Sequence, residues 1–217
     1  MLRRLLADRS GSAMLEFAIV LPVMALVYLG GYELSDMISC NRKVGIAARS
    51  LTDLASRSLS PTSIVASPSG TSGTAYMSAA AITLTPYSQA NATEQMALLR
   101  VCDATHAYVI WSAAQTQTST GTATSITPSL TAGTLTSASV VTIPTGMITT
   151  PMIPTSPDGT DVCSNFGTST STNYQAGTVG GFLFYGQVAY SYTSLPKYFL
   201  TSTIPMGYIF YMSPRTN

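Results

Sequence analysis

The chain has 217 residues, a formal net charge of +1, and charged side chains at only 9% of its positions. This near-neutral balance argues against an electrostatic nucleic-acid surface, which needs clustered Lys and Arg. Only seven charged residues follow Ser58, so the polar surface beyond that point must come from Ser, Thr, Asn, Gln and Gly. Such a composition is typical of an exported domain or of one that packs into an assembly.

The N-terminal residues predict a membrane-spanning helix. A basic leader, residues 1–11, precedes a run from Ser12 to Tyr32 whose only charge is Glu16. A helix of that length is about 31 Å long, enough to cross a hydrocarbon core. A secretory signal peptide is the competing interpretation, but the run is long and no clear Ala-x-Ala motif follows it. We therefore predict a leader at 1–11 and a transmembrane helix at 12–33.

The helical pattern continues beyond the span as an amphipathic extension, residues 34–59. Its apolar positions recur mostly at three- and four-residue steps, which is the period of a helix with one buried face. These positions are Leu34, Met37, Val44, Ala48, Leu51 and Ala55. The extension should end near Ser60-Pro61, because the residue before a proline disfavours the helical region. One helix from about Ser12 to Arg57 would be roughly 70 Å long.

Residues 60–217 predict a periplasmic or extracellular head. A loop over 60–74 and a short second helix from Tyr76 to Tyr87 come first. Strand signals occur at Met96–Asp103, Ala107–Ala113, Ser137–Ile143, Phe182–Tyr192 and Pro205–Met212. The Ser/Thr-rich segment 112–139 is expected to be an exposed loop. The predicted fold class is therefore α+β: a long N-terminal transmembrane and amphipathic helix, a short helix, and an antiparallel sheet of about four strands.

Three cysteines allow three different single bridges, and spacing alone does not choose among them. We predict the pair Cys102–Cys163, because both residues fall in the presumed exported head, where a disulfide persists. Closing a loop of that size stabilises a fold by roughly 4 kcal/mol in the chain-entropy model. The alternative is three free thiols, including Cys40 on the helical extension.

Gly11 and Glu16 together indicate a processing site. Cleavage between Gly11 and Ser12, on the cytoplasmic side, would keep the membrane helix and create a new amine on Ser12. Glu16 lies four residues from that amine, on the same helix face. A carboxylate inside a membrane costs several kcal/mol unless it is paired, and a free amine on the same or a neighbouring chain is a suitable partner. The alternative is an interfacial acid that reaches out to water.

The segment GSAMLEFAIVLPVMALVYLGGYELS resembles the N-terminus of the TadE/TadG-like minor pilins, or pseudopilins, of the tight-adherence (Tad) type IV pilus system. The matching positions are Glu16, Phe17, Pro22, Gly30 or Gly31, and Glu33. A looser similarity continues at Asp53-Leu54-Ala55, Pro86-Tyr87, Val109-Ile110-Trp111-Ser112, Tyr190-Ser191-Tyr192 and Ser213-Pro214-Arg215. The resemblance implies a precursor in the bacterial inner membrane, with a cytoplasmic N-terminus and a periplasmic head.

The same resemblance implies the roles of several residues. Gly11 and Ser12 would form the site cut by a prepilin peptidase, while Glu16 and Phe17 would act in subunit packing. Glu16 would pair with the amine of a neighbouring subunit and so set the axial register of helices in a fibre. The implied partners are other pilins of the Tad pilus, the prepilin peptidase, the inner-membrane assembly platform and membrane lipid. The alternative is a bitopic adhesin or binding module with no fibre role.

Catalytic chemistry lacks its usual parts in this sequence. His106 is the single histidine, there is no Cys/His pair at ligand spacing, and no Gly-x-Ser-x-Gly elbow occurs, so zinc and nucleophilic chemistry both lack parts. Asp158 and Asp161 flank a turn, but two acids are too few for a calcium site. We expect no catalytic residue, no metal and no cofactor, and we predict that the chain is not an enzyme.

Overall fold

The computed structural model describes residues 12–58, 71–101, 104–118, 121–131, 140–149, 181–194 and 203–214. This part of the chain forms one long helix, one short helix and an antiparallel sheet. In chain order the elements are α1 (Ser12–Ser58), α2 (Thr71–Ile82), a 3₁₀ turn (Gln89–Asn91), β1 (Ala92–Val101), β2 (His106–Gln117), β3 (Ala123–Ile126), β4 (Val140–Thr142), β5 (Phe182–Tyr192) and β6 (Ile204–Met212).

Helix α1 runs for 47 residues and joins the predicted span to the amphipathic extension without a break. Pro22 lies inside it and supplies no backbone donor, a defect that a membrane helix tolerates when neighbouring groups compensate. The helix ends at Ser58, shortly before the sequence Ser60-Pro61, as the restriction on residues before proline predicts. The prediction of one continuous helix from about Ser12 is confirmed.

The sheet has six strands in the order β3-β2-β1-β5-β6, with β4 also paired to β2. Every strand pair is antiparallel. Strand β1 is central, and Glu94 on it lies between Gln115 of β2 and Val188 of β5. Strand β5 lies beside β1, although β2, β3 and β4 come between these two strands in the sequence. This pairing brings the C-terminal part of the chain into the centre of the head.

Both faces of the sheet are buried, and each carries its own apolar cluster. One cluster joins α1, α2 and the sheet, and its largest members include Leu51, Met77 and Phe184, all of which are fully buried. Burying a side chain such as Leu51 contributes about 1.5–3 kcal/mol. The second cluster lies on the opposite face, where Ile143 and Ile148 cover the residues of β1, β2 and β5 that point away from α1. Helix α1 is therefore part of the head core and not a detached stalk.

Close contact between α1 and β5 depends on Gly186. A Cβ placed at Gly186 would overlap the side chain of Thr52 and lie 3.3 Å from the carbonyl oxygen of Ala48. The Thr52 hydroxyl in turn donates to that same carbonyl at 2.8 Å. The absence of a side chain at Gly186 is thus what lets the helix backbone rest on the strand.

The α+β fold class is confirmed, while several element boundaries differ from the prediction. The sheet has six strands where about four were expected. Strand β4 lies within the predicted strand signal Ser137–Ile143, whereas β3 lies within the Ser/Thr-rich segment 112–139 that was expected to be a loop. Threonine is β-branched and fits a strand at the edge of a sheet, which composition alone did not indicate. Helix α2 ends at Ile82 and not at Tyr87, and the residues up to cis-Pro86 form turns. The predicted bridge Cys102–Cys163 and the acids Asp158 and Asp161 lie outside the described residues.

Candidate functional site: the membrane anchor and its junction with the head

The N-terminal part of α1 is an apolar helix that the described part of the head leaves uncovered. Its most apolar 18-residue window has a mean hydropathy of 2.0, and none of that window is buried. Residues 14–32 are all exposed, and they include large side chains such as Leu15 (66%), Val27 (67%) and Tyr28 (75%). An apolar surface of this extent is unfavourable in water, and the length and composition suit a membrane anchor.

The predicted assembly residues lie on this exposed helix. The side chains of Glu16 and Phe17 are both exposed. Glu16 forms no hydrogen bond or ion pair with any residue in the described ranges. Ser12 begins the helix, and Gly11 precedes the described part of the chain. The roles assigned to these four positions remain predictions.

Two adjacent glycines near the end of the span have no packing role among the described residues. A Cβ added at Gly30 or Gly31 would meet no atom within 4 Å. A helix-interior glycine costs roughly 1 kcal/mol relative to alanine, so this pair lowers the intrinsic stability of the helix. In a membrane, small residues let the backbones of two helices approach closely. The glycine pair is therefore available for contact with a second helix.

The head is fastened to α1 just beyond the span by two tyrosines and two acids, which we call the tyrosine clasp. Tyr192 at the end of β5 places its hydroxyl 2.7 Å from Oδ2 of Asp36 and 3.0 Å from Oε1 of Glu33. Tyr87 donates to Oδ1 of Asp36 at 2.9 Å and approaches the Asp36 carbonyl oxygen at 3.0 Å. Glu33 and Asp36 are one helical turn apart, so both present their carboxyl groups to the head.

The clasp keeps its tyrosines neutral. Burial, the hydrogen bond to Asp36 and the negative charge there raise the pKa of Tyr87 to about 12. Burial also raises the pKa of Tyr192, and the hydrogen bonds to Asp36 and Glu33 raise it further. Because each phenol is needed as a donor to a carboxylate, ionisation of the phenol would break the contact. Both phenols therefore remain hydrogen-bond donors across the ordinary pH range.

Cys40 lies one turn beyond Asp36 and is fully buried in the core between α1 and the sheet. Burial, with a smaller contribution from the negative charge of Asp36, raises the pKa of its thiol to about 11. A thiol of this kind is inert, because the thiolate is the reactive form. Cys40 thus acts as a core residue of the junction.

A second polar cluster is buried beneath α2. Glu94 is fully buried, and its Oε2 accepts from Nε2 of Gln115 at 2.8 Å, while the same nitrogen approaches Ser78 Oγ of α2 at 3.3 Å. Oε1 of Glu94 and Oε1 of Gln115 are both buried acceptors without a partner among the described residues. Burial outweighs the opposing effect of the Gln115 and Gln117 amides and raises the pKa of Glu94 to about 7. A proton on Glu94 would turn one of the two unpaired acceptors into a donor.

The clasp and the Glu94 cluster were not predicted as sites. The family resemblance included Glu33, Pro86-Tyr87 and Tyr190-Ser191-Tyr192, but it did not indicate that these residues lie close together in the fold. His106 begins β2, and its Nδ1 lies 3.1 Å from Thr105 Oγ1. Within the described ranges no three His, Cys, Asp or Glu side chains are grouped as a metal ion would require.

Comparison with known protein families finds a match in the helical region of this chain. Residues 11–51 match the family model described as TadE-like protein. The match covers the anchor, the acids of the clasp and the first part of α1 that packs on the sheet. No curated protein and no solved structure matches the chain.

Proposed function

We propose that this TadE-like protein, a membrane-anchored component associated with Tad pili, is a minor pilin or pseudopilin that is processed by a prepilin peptidase at Gly11–Ser12. In this proposal it has no catalytic step, and its role is structural. The other pilins of the Tad pilus, the peptidase and the inner-membrane assembly platform are its partners. The head lies in the periplasm and can become extracellular when the chain enters a fibre.

One observation carries this proposal: a long apolar helix is uncovered at its N-terminal end and is part of the head core at its C-terminal end. A membrane anchor that only tethers a binding module needs no rigid connection to it. Here the tyrosine clasp and the contact at Gly186 hold the helix and the head as one body. A rigid body of this kind can pass its helix into a fibre and carry the head with a defined orientation.

Glu16 supplies the proposed packing contact. Its carboxyl group lies near the N-terminal end of the apolar helix and forms no hydrogen bond or ion pair within the described part of the chain. An unpaired charge in the hydrocarbon region costs several kcal/mol, so a partner from another chain would stabilise assembly. The amine created at Ser12 of a neighbouring subunit is such a partner. The positive leader, which contains Arg3, Arg4 and Arg9, favours a cytoplasmic N-terminus.

The test combines the intact mass of the membrane-extracted protein with the phenotype of variants in the native host. We expect a mature chain that begins at Ser12, and we expect Gly11→Ala to accumulate the uncut precursor. Glu16→Ala and Glu16→Gln should be inserted normally but should abolish pilus assembly, whereas Glu16→Asp keeps the charge and should retain part of it. An uncut chain together with normal piliation in Glu16→Ala would overturn the proposal and favour a bitopic adhesin.

A further inference from the structure

A groove runs between α1 and the edge strand β6, above the membrane span. We call it the basic groove; it has a volume of about 350 Å³ and is lined by Asn41, Arg42, Gly45, Ile46, Arg49, Tyr208 and Phe210. Its floor forms where Gly45 faces the ring of Tyr208, and a Cβ added at Gly45 would lie 3.6 Å from the nearest ring atoms. The hydroxyl of that ring accepts from Nδ2 of Asn41 at 2.9 Å, which fixes the strand against the helix. The basic groove is therefore a formed surface of the folded head.

Among the described residues, no acid compensates the charge of the basic groove. Arg42 and Arg49 are both exposed, and neither forms an ion pair with a residue of the described ranges. The nearest acid on the same helix side, Asp53, is already paired with Arg57 at 2.8 Å. Two guanidinium groups seven residues apart are separated by about 10 Å along a helix. Arginine is well suited to a carboxylate, which it binds through two parallel hydrogen bonds.

An apolar strip connects the basic groove to the membrane span. Ile46 lies between the two arginines and is 54% exposed, while Leu34 and Ile38 below it are 53% and 45% exposed. Leu34, Ile38, Arg42 and Ile46 follow one another at steps of four residues and thus form one ridge along α1. Large aliphatic side chains in a continuous exposed strip mark an interaction surface. Because the strip is continuous with the anchor, its occupant should rise from the same membrane.

A second copy of this chain is a poor occupant. Two copies anchored in one membrane keep their spans at the same depth, so their helices would pack in parallel and in register. Arg42 would then face Arg42, and Arg49 would face Arg49, because the same residues lie at the same height. Like charges in contact across an interface cost several kcal/mol. The basic groove therefore selects against self-association and favours a different chain.

We propose that the basic groove binds a helix of a different membrane-anchored protein, which carries two acidic residues seven positions apart at the height of Arg42 and Arg49. Apolar side chains of that helix cover Leu34, Ile38 and Ile46, and its two carboxylates pair with the arginines. This partner assignment rests on the membrane anchorage that is part of the function proposed above. It names the partner by its chemistry: an acidic, apolar-faced helix that crosses the same membrane.

The experiment uses the full-length chain in native membranes with a photo-cross-linking amino acid at Ile46. The same amino acid at Ile82, which is 64% exposed on α2 and does not line the basic groove, is the positional control. Mass spectrometry of the cross-linked peptides identifies the partner and the linked residue. The double variant Arg42→Glu, Arg49→Glu tests the charges, and Lys43→Glu serves as the charge control, because Lys43 does not line the basic groove.

The expected result is a cross-link from position 46 to a second membrane-anchored chain, at a helix with two acids seven residues apart. The double arginine reversal should lower its yield at least ten-fold, and replacing both partner acids by Lys should restore it. Lys43→Glu should change the yield by less than two-fold. A cross-link to a second copy, to residues 150–180 of the same chain, or to a chain whose binding ignores the arginine reversal would overturn the proposal.

The outcomes separate this inference from the proposed function. If Glu16→Ala abolishes piliation but the cross-link is insensitive to charge, the groove assignment fails and the pilin role stands. If the charge-dependent cross-link is found and cells lacking this chain assemble normal pili, the pilin role fails. In that case the acidic helix remains the occupant of the basic groove, as a partner outside the pilus.

Discussion

The Tyr192 hydroxyl lies 2.7 Å from Oδ2 of Asp36, a contact between residues 156 positions apart in the sequence. Asp36 lies on the first helical turn after the predicted span, and Tyr192 ends the strand β5. The contact therefore joins the membrane end of the helix directly to the centre of the sheet. Rotation of the head about the helix would break it, so the orientation of the head relative to the membrane is fixed at this point.

Tyr192→Phe should weaken the attachment of the head to the helix. The variant keeps the ring and its packing but removes the donor to Asp36, and a hydrogen bond to a charged group contributes about 2 kcal/mol. We expect a loss of that size in the free energy of unfolding in detergent micelles. Urea titration can follow it through the fluorescence of Trp111, the single tryptophan of the chain, which is buried in the core. The matched control is Tyr32→Phe, at an exposed position of α1, which should change the free energy of unfolding by less than about 0.5 kcal/mol. Equal effects of the two variants would contradict the clasp.

Cys40 provides a chemical probe of the same junction. With a pKa raised from 9.0 to about 11, its thiolate fraction at pH 8 should be roughly 100-fold lower than that of an ordinary thiol. Iodoacetamide should therefore label the Cys40 peptide in the folded chain far more slowly than in the urea-unfolded chain. Tyr87→Ala removes a clasp residue that packs against this core, and labelling should accelerate by about ten-fold through local opening. Rapid labelling in the unmodified folded chain would show that the junction is open.

The sequence predicted the helix and the strongest strands because their signals are local. The run from Ser12 has a span's length and hydropathy, and β5 was predicted at its observed bounds from its aromatic and β-branched residues. Strand β3 is short and lies in a Ser/Thr-rich segment, so its pairing with β2 depends on a neighbour and not on its own composition. Strand β4 carries two valines and lies within the predicted strand signal Ser137–Ile143. The sheet order could not be predicted either, since β1 and β5 are distant in the chain.

The candidate site shows the same limit. Glu33 and Tyr192 each lie in a segment that the family resemblance singled out, yet only the fold brings them within hydrogen-bond distance. No local signal marks Glu94 in the sequence, because full burial of its carboxyl group depends on helix α2 lying over β1 and β2. Residues whose role comes from a contact distant in sequence carry no local signal for that role.

Gly186→Ala should separate α1 from the sheet. The new methyl group would overlap Thr52 and crowd the carbonyl oxygen of Ala48, and overpacking of this kind costs about 1–3 kcal/mol. Combining it with Thr52→Ala should recover more than about 0.5 kcal/mol, a coupling that a double-mutant cycle in urea measures directly. Gly207→Ala is the control, because its nearest neighbours would lie at ordinary contact distances of 3.7 and 3.9 Å. If the effects of Gly186→Ala and Thr52→Ala were simply additive, the loss of stability would not come from a clash between these two positions.

Glu94 should make the stability of the head depend on pH between about 4.5 and 7. The pKa of its carboxyl group rises from 4.5 to about 7 on burial, so the folded state holds the proton more tightly than the unfolded state. The contribution is complete below pH 4.5, is lost as the pH rises through 7, and amounts to about 3 kcal/mol. Urea unfolding at a series of pH values should show this fall. Glu94→Gln cannot ionise and can pair with the amide of Gln115, so its stability should lose this slope and exceed that of the unmodified chain at pH 8. If Glu94→Gln kept the same dependence of the free energy of unfolding on pH, the dependence would come from a group other than Glu94.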